Sequence, residues 1–156
     1  MRIFSLLPLC SLALLAGCPV DGSDLDTDDP TGPPDITGDY TVAALTELSG
    51  CDGVTAADPA WMAGALTISG TPDALVFTFA GGETLDGSVD EAFTWSAVGT
   101  VVREGQEVDA LVEGLAFIGD VTWILDGDVS LSVLDSTGSV PACTLTGRLE
   151  AEQDPQ

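Results

Sequence analysis

From residue 39 to residue 150 the chain keeps one rhythm. Short runs of alternating apolar and polar side chains are cut at intervals of about ten residues by Gly, Asp and Pro. A period of two puts one face of each run toward a core and the other toward water, a pattern a helix cannot satisfy. The runs read as strands over 39–48, 61–69, 74–80, 84–89, 92–102, 108–115, 116–125, 129–133 and 142–150. Leu75, Phe77 and Phe79 share one face, and so do Phe93, Trp95 and Ala97. Val129, Leu131 and Val133 alternate with Ser130 and Ser132, and Cys143, Leu145 and Leu149 face one way in the last run. Turns are expected at Gly70-Thr71-Pro72-Asp73, Gly81-Gly82, Asp90-Glu91 and Arg103-Glu104-Gly105-Gln106, with a break near Gly119-Asp120. Asp126-Gly127 is a type I′ turn candidate. Residues 54–59 have room for one helical turn, 135–141 form a polar loop, and 151–156 read as a frayed tail.

Eight or nine strands joined mostly by tight turns, with no long helix between them, define an all-β chain. An antiparallel up-and-down barrel of about eight strands is the expected architecture, because closure removes the free edges of a meander. A β-sandwich is the competing arrangement.

The segment before the first strand is built differently. Residues 19–36 carry many acids and prolines and almost no apolar side chains. Such a segment cannot offset the entropy lost on ordering, so it reads as a linker. As a loose coil it spans roughly 25 Å, and fully extended roughly 55 Å.

Upstream of the linker stand one positive residue, Arg2, and a mostly apolar run over 3–15 that ends in Leu15-Ala16-Gly17-Cys18. The run has the length of an export signal and is too short for a bilayer core of about 30 Å. Pro8 inside it also argues against a permanent membrane helix. Leu-Ala-Gly-Cys at the end of such a run resembles the lipobox of bacterial lipoproteins. That resemblance implies a signal peptide over 1–17, a diacylglyceryl (palmitate-type) group on Cys18, and a linker over 18–36. It also implies a barrel domain over 37–150 held at the cell envelope by lipid. Pro19, where an Asp would favour inner-membrane retention, points to the outer membrane if the host has one. A signal cut without lipidation is the plainer alternative.

Gly-Asp-Tyr-Thr-Val at 38–42 and Cys-Thr-Leu-Thr-Gly at 143–147 are similar to segments of uncharacterised bacterial lipoproteins with a lipocalin-like barrel. The chain departs from true lipocalins in lacking their Gly-x-Trp opening.

With Cys10 lost in the leader and Cys18 taken by lipid, Cys51 and Cys143 remain as an even pair in an oxidising compartment. A disulfide is the natural reading, and the absence of Cys-x-x-Cys spacing argues against a redox-active pair.

Charge excludes several functions. Removing residues 1–17 takes away Arg2 and no acid, leaving Arg103 and Arg148 against 26 acidic residues, with no Lys and no His. That field repels nucleic acid and anionic headgroups. It suits solubility at high salt or simple mutual repulsion between molecules.

Without His or Lys, the usual bases for a Ser nucleophile are missing, and no His or Cys metal cluster exists. Carboxylate-pair chemistry remains as the one catalytic route. Glu47, Glu83, Glu91, Glu104, Glu107, Glu113 and Glu150 are candidates, and Glu113, between Val112 and Gly114-Leu115, is the least typical placement. The chain is therefore read as non-enzymatic, and no cofactor is implied.

Asp24, Asp26 and Asp28, with Asp35 in the twelfth position, have the spacing of a calcium loop. Asp29 and Pro30 stand where that loop needs Gly and a ligand turn, so a solvated tether is the preferred reading and no metal is expected. Phe77, Phe79, Phe93, Trp95, Phe117 and Trp123 either fill the barrel or line a cavity for a small apolar ligand. Trp61 is expected at a barrel mouth. Expected partners are the membrane, through the anchor, and either an envelope protein or a small apolar ligand.

Overall fold

The computed structural model describes residues 32–135 and 141–155. The signal run, Cys18, the acidic segment through Thr31 and the polar loop over 136–140 lie outside the described residues.

Nine strands form one antiparallel sheet. They are β1 (Gly38–Val42), β2 (Thr46–Ser49), β3 (Gly64–Thr71), β4 (Ala74–Phe79), β5 (Thr84–Val89), β6 (Thr94–Arg103), β7 (Gln106–Ile118), β8 (Trp123–Leu134) and β9 (Pro141–Gln153). Each strand from β3 to β8 pairs with the next, and β1 pairs with both β3 and β9. The result is a closed eight-strand up-and-down barrel with β2 as an extra strand along β9. β1 and β2 are two segments of the single run expected over 39–48. They part at Ala43, whose N–H still donates to the Glu150 carbonyl at 3.0 Å.

Alternation places Leu66, Ile68, Leu75, Phe77, Leu85, Val108, Val112, Leu125, Val129 and Leu131 inside, all buried. Two short 3-10 helices, Thr55–Ala57 and Pro59–Met62, fill the connection from β2 to β3. Asp58 opens the second by accepting from the Ala60 N–H at 3.0 Å. No helix among the described residues is long and apolar enough to cross a membrane.

Several expectations change. The runs read as separate strands over 108–115 and 116–125 are not divided at residue 115, because β7 continues to Ile118 and β8 starts at Trp123. Asp126-Gly127 is not a turn; it lies inside β8, where Gly127 stands opposite Gly114 and Leu149. A Cβ on Gly127 would come within 2.9 Å of the Trp95 ring, so the glycine makes room for an indole. The two-residue hairpin turn with positive φ at both positions joins β6 to β7 at Glu104-Gly105, at 49° and 76°.

The residues expected as a tail close the barrel. Gln153, Glu152 and Ala151 pair with Tyr40, Thr41 and Val42. Ala151 is buried, continuing the inward phase of Leu145 and Leu149.

Ordered packing also starts earlier than residue 37. Ile36 is fully buried and its carbonyl accepts the Tyr40 hydroxyl at 2.8 Å. Finally, Trp61 belongs to the second 3-10 helix rather than to β3.

Antiparallel connectivity sorts the turns between two ends. The near end holds the start of β1, the end of β9 and the β3–β4, β5–β6 and β7–β8 turns. The far end holds the two 3-10 helices and the β4–β5, β6–β7 and β8–β9 connections.

Candidate functional site

The six aromatic residues proposed for the interior divide into two groups. Phe77, Phe79 and Trp95 are buried in the barrel. Phe77 and Trp95 stack, with centroids 5.5 Å apart. Phe79 meets Trp61 edge-on at 5.1 Å, so Trp61 is part of the far-end plug and not of an open mouth. Phe93 and Phe117 are exposed, and Trp123 is half-buried. The interior set expected from Phe77, Phe79, Phe93, Trp95 and Trp123 is therefore not one site. Phe93 and Trp123 leave it for the rim of the near end, where their rings lie 6.0 Å apart.

Local structure explains the rim. Asp90 accepts from the N–H groups of Ala92 at 2.9 Å and Thr94 at 2.8 Å. This tight Asx-type turn carries Phe93 into left-handed backbone at φ 65°. That conformation is unfavourable for a bulky side chain. The Phe93 carbonyl then accepts the Ala116 N–H at 2.8 Å, docking the turn on β7. At the β7–β8 turn, the Gly119 N–H donates to the Thr122 carbonyl at 2.9 Å, which leaves Asp120 and Val121 at the tip. Val121 is 89% exposed, Ile118 65% and Phe117 45%.

Leu115 on β7 is the last residue paired with β6, opposite Thr94. Phe117 and Ile118 continue on β8 alone, opposite Ile124 and Trp123. The end of β7 thus runs on past its pairing with β6 by three residues, about 10 Å of strand at 3.4 Å per residue. Residue alternation alone did not find this apolar tip. The signal for it was Val121 directly after Gly119-Asp120, an apolar residue inside a turn.

At the far end, Cys51 and Cys143 form a disulfide with Cα atoms 5.3 Å apart, as expected. It ties the loop after β2 to the start of β9. Ala56, Ala57, Trp61 and Met62 of the two 3-10 helices that follow are buried.

The carboxylates are spread over the outer wall. Glu113 is exposed and stands opposite Ser96 and Asp128, so its apolar sequence neighbours do not bury it. Both arginines of the proposed mature chain are paired: Arg103 with Glu83, and Arg148 with Asp126, where Nε donates to Oδ1 at 2.9 Å. Hydrogen bonding to Asp126 and the field of that carboxylate push the Arg148 guanidinium further above its usual value. The Thr37 N–H and hydroxyl hold the Asp35 carboxyl below the usual range.

Asp24, Asp26 and Asp28 lie outside the described residues. Among the described residues no three His, Cys, Asp or Glu side chains are grouped to hold a metal ion. Two solvent-open depressions mark the wall. One, of about 460 Å³, lies beside Val98, Thr100, Asp109, Leu111, Ser130 and Ser132. The other, of about 630 Å³, lies beside Pro33, Asp73, Asp90, Glu91 and Glu113.

Comparison with family models, with curated proteins and with solved structures gives no match.

Proposed function

We propose that the chain is a lipid-anchored, extracytoplasmic lipoprotein of a bacterial cell envelope, acting as a non-enzymatic accessory or interaction protein. The observation that carries this reading is the pairing of Cys51 with Cys143 in a chain whose leader ends in Leu15-Ala16-Gly17-Cys18. Cystines persist in oxidising compartments, and an export signal ending in a lipidatable cysteine leads to one. A diacylglyceryl cysteine supplies the two acyl chains that stable anchoring requires.

Phe77 on β4 stacks on Trp95 of β6, and the Trp95 ring reaches Gly127 on β8; this filling of the interior supports a role exercised by the outside of the barrel rather than by an enclosed apolar ligand. The absence of His and Lys supports a non-enzymatic reading.

Replacing Cys18 with Ser tests the anchor. The variant is expected to lose the acyl mass on residue 18 and to leave the lipoprotein fraction of the envelope. An unmodified residue 18 in the wild-type chain, found by mass spectrometry of protein from its native membranes, overturns the reading.

A further inference from the structure

We propose that the tip of the β7–β8 hairpin, flanked by Phe93 and Trp123, is a foot that enters the interfacial layer of the lipid surface to which Cys18 is tied. The barrel then stands on its near end. This inference rests on the anchor reading above.

Position comes first. The described chain begins at Gly32 and runs through buried Ile36 into β1 at the near end. A tether from Cys18 therefore reaches the barrel at the end where Phe117, Ile118 and Val121 are exposed. The remaining large exposed apolar side chains are placed differently. Val98, Leu111 and Leu115 lie on the outer wall of β6 and β7, Leu48 is on β2, and Val102 stands beside the β6–β7 turn at the far end, away from the tether.

Shape and chemistry agree with that position. The strand length that β7 carries past β6, about 10 Å, is of the same order as the roughly 5–10 Å to which interfacial elements sink between headgroups and acyl chains. A half-buried indole beside an exposed phenyl ring suits the water–lipid boundary, where one side of each ring is wet. Phe93 is held in a backbone conformation that costs free energy, and this keeps its ring on the rim beside Trp123.

Charge sets the kind of surface. Asp90, Glu91 and Asp120 flank the apolar residues, so the foot fits a zwitterionic surface and is repelled by an anionic one. The tether makes a weak insertion sufficient, because a linked site works at an effective concentration near the millimolar range.

The test uses the lipidated full-length mature chain in vesicles of phosphatidylcholine with brominated acyl chains. Trp61 and Trp95 are buried in the barrel, so contact quenching by bromine reads Trp123. The wild-type chain is expected to float with the vesicles and to lose tryptophan emission relative to unbrominated vesicles. Trp123→Phe should float and show no such loss. Val121→Asp with Phe117→Asp should float equally, retain the near-ultraviolet circular dichroism of the wild type and escape quenching. At low salt, vesicles rich in anionic lipid should give weaker quenching.

Flotation without quenching of the wild type overturns the foot and leaves the anchor standing. Equal quenching of the tip variant also overturns the foot. A chain that does not float overturns the anchor reading and the foot together. A dimer in detergent that Val121→Asp dissociates assigns the tip to a second copy and overturns the lipid contact.

Discussion

The two ends of this barrel solve the same problem in opposite ways. At the far end, the connection from β2 to β3 folds back as two 3-10 helices that bury Ala56, Ala57, Trp61 and Met62. A disulfide then fastens the edge of that plug to β9. At the near end, only Ile36 and Tyr40 from the incoming chain are tucked beneath the strands. Phe93, Phe117, Ile118 and Val121 stay in water. The buried apolar residues of the far-end plug serve the stability of the barrel, whereas the exposed ones of the near-end hairpin contribute little to it. Apolar surface kept at a projecting turn is the part of the molecule most available to something else.

The sharpest way to break this contrast is to cut the far-end staple. Replacing both Cys51 and Cys143 with Ala should lower unfolding free energy by about 4–5 kcal/mol on the chain-entropy account of a loop of this length. Denaturant unfolding of oxidised protein, reduced protein and the double variant measures it. A loss near zero would mean that the plug holds without its covalent tie.

Trp61→Ala removes the ring packed on Phe79 and should cost about 3 kcal/mol, at the low end for a buried aromatic because the site borders solvent. Equal stability of this variant and the wild type would deny that the far end is a core.

Tyr40 probes how the near end is closed. Burial first, and the negative Asp35 second, raise its phenol above the ordinary value of 10. A raised native value means that the neutral phenol stabilises the fold fully below pH 10. That contribution is lost as pH climbs above 10 toward the native value. Stability should therefore be insensitive to this group up to pH 10 and fall beyond it. Tyr40→Phe should cost about 1 kcal/mol at neutral pH for the lost bond to the Ile36 carbonyl and flatten the alkaline fall. An unchanged alkaline profile in Tyr40→Phe would place the sensitivity elsewhere.

The smallest effect is expected at the hairpin tip. Val121→Asp should change unfolding free energy by no more than about 0.5 kcal/mol, as for most surface substitutions. A large loss in thermal unfolding would show that the tip packs against the barrel and would erase the difference between the ends.

Much of the barrel could be read from the chain, and the failures share a cause. The β4, β5 and β6 runs and the turns at Gly81-Gly82 and Glu104-Gly105 follow from alternation and local turn chemistry, both of which act over a few residues. Asp126-Gly127 misled because the same dipeptide serves a turn or a packing vacancy. Trp95, more than thirty residues upstream, decides between them here. Ala151–Gln153 looked like a tail because Ala, Glu and Gln carry no strand signal of their own. Pairing with β1 makes them a strand. All six aromatic residues were expected inside, whereas Phe77, Phe79 and Trp95 are buried and Phe93, Phe117 and Trp123 lie outside or at the rim. Phe93 shares the sequence phase of Trp95, and only the Asp90 turn takes it out of the lumen.

Period, turn residues, charge and cysteine number are local or additive properties, and they were enough to read the all-β class, the run of short strands and tight turns, the strongly acidic exterior and the Cys51–Cys143 pair from the chain. Packing between strands set their order, where the barrel closes, which rings fill it and which rings reach the near-end rim. Those outcomes depend on register between strands distant in sequence, and shifting one strand by a single residue exchanges its inward and outward faces.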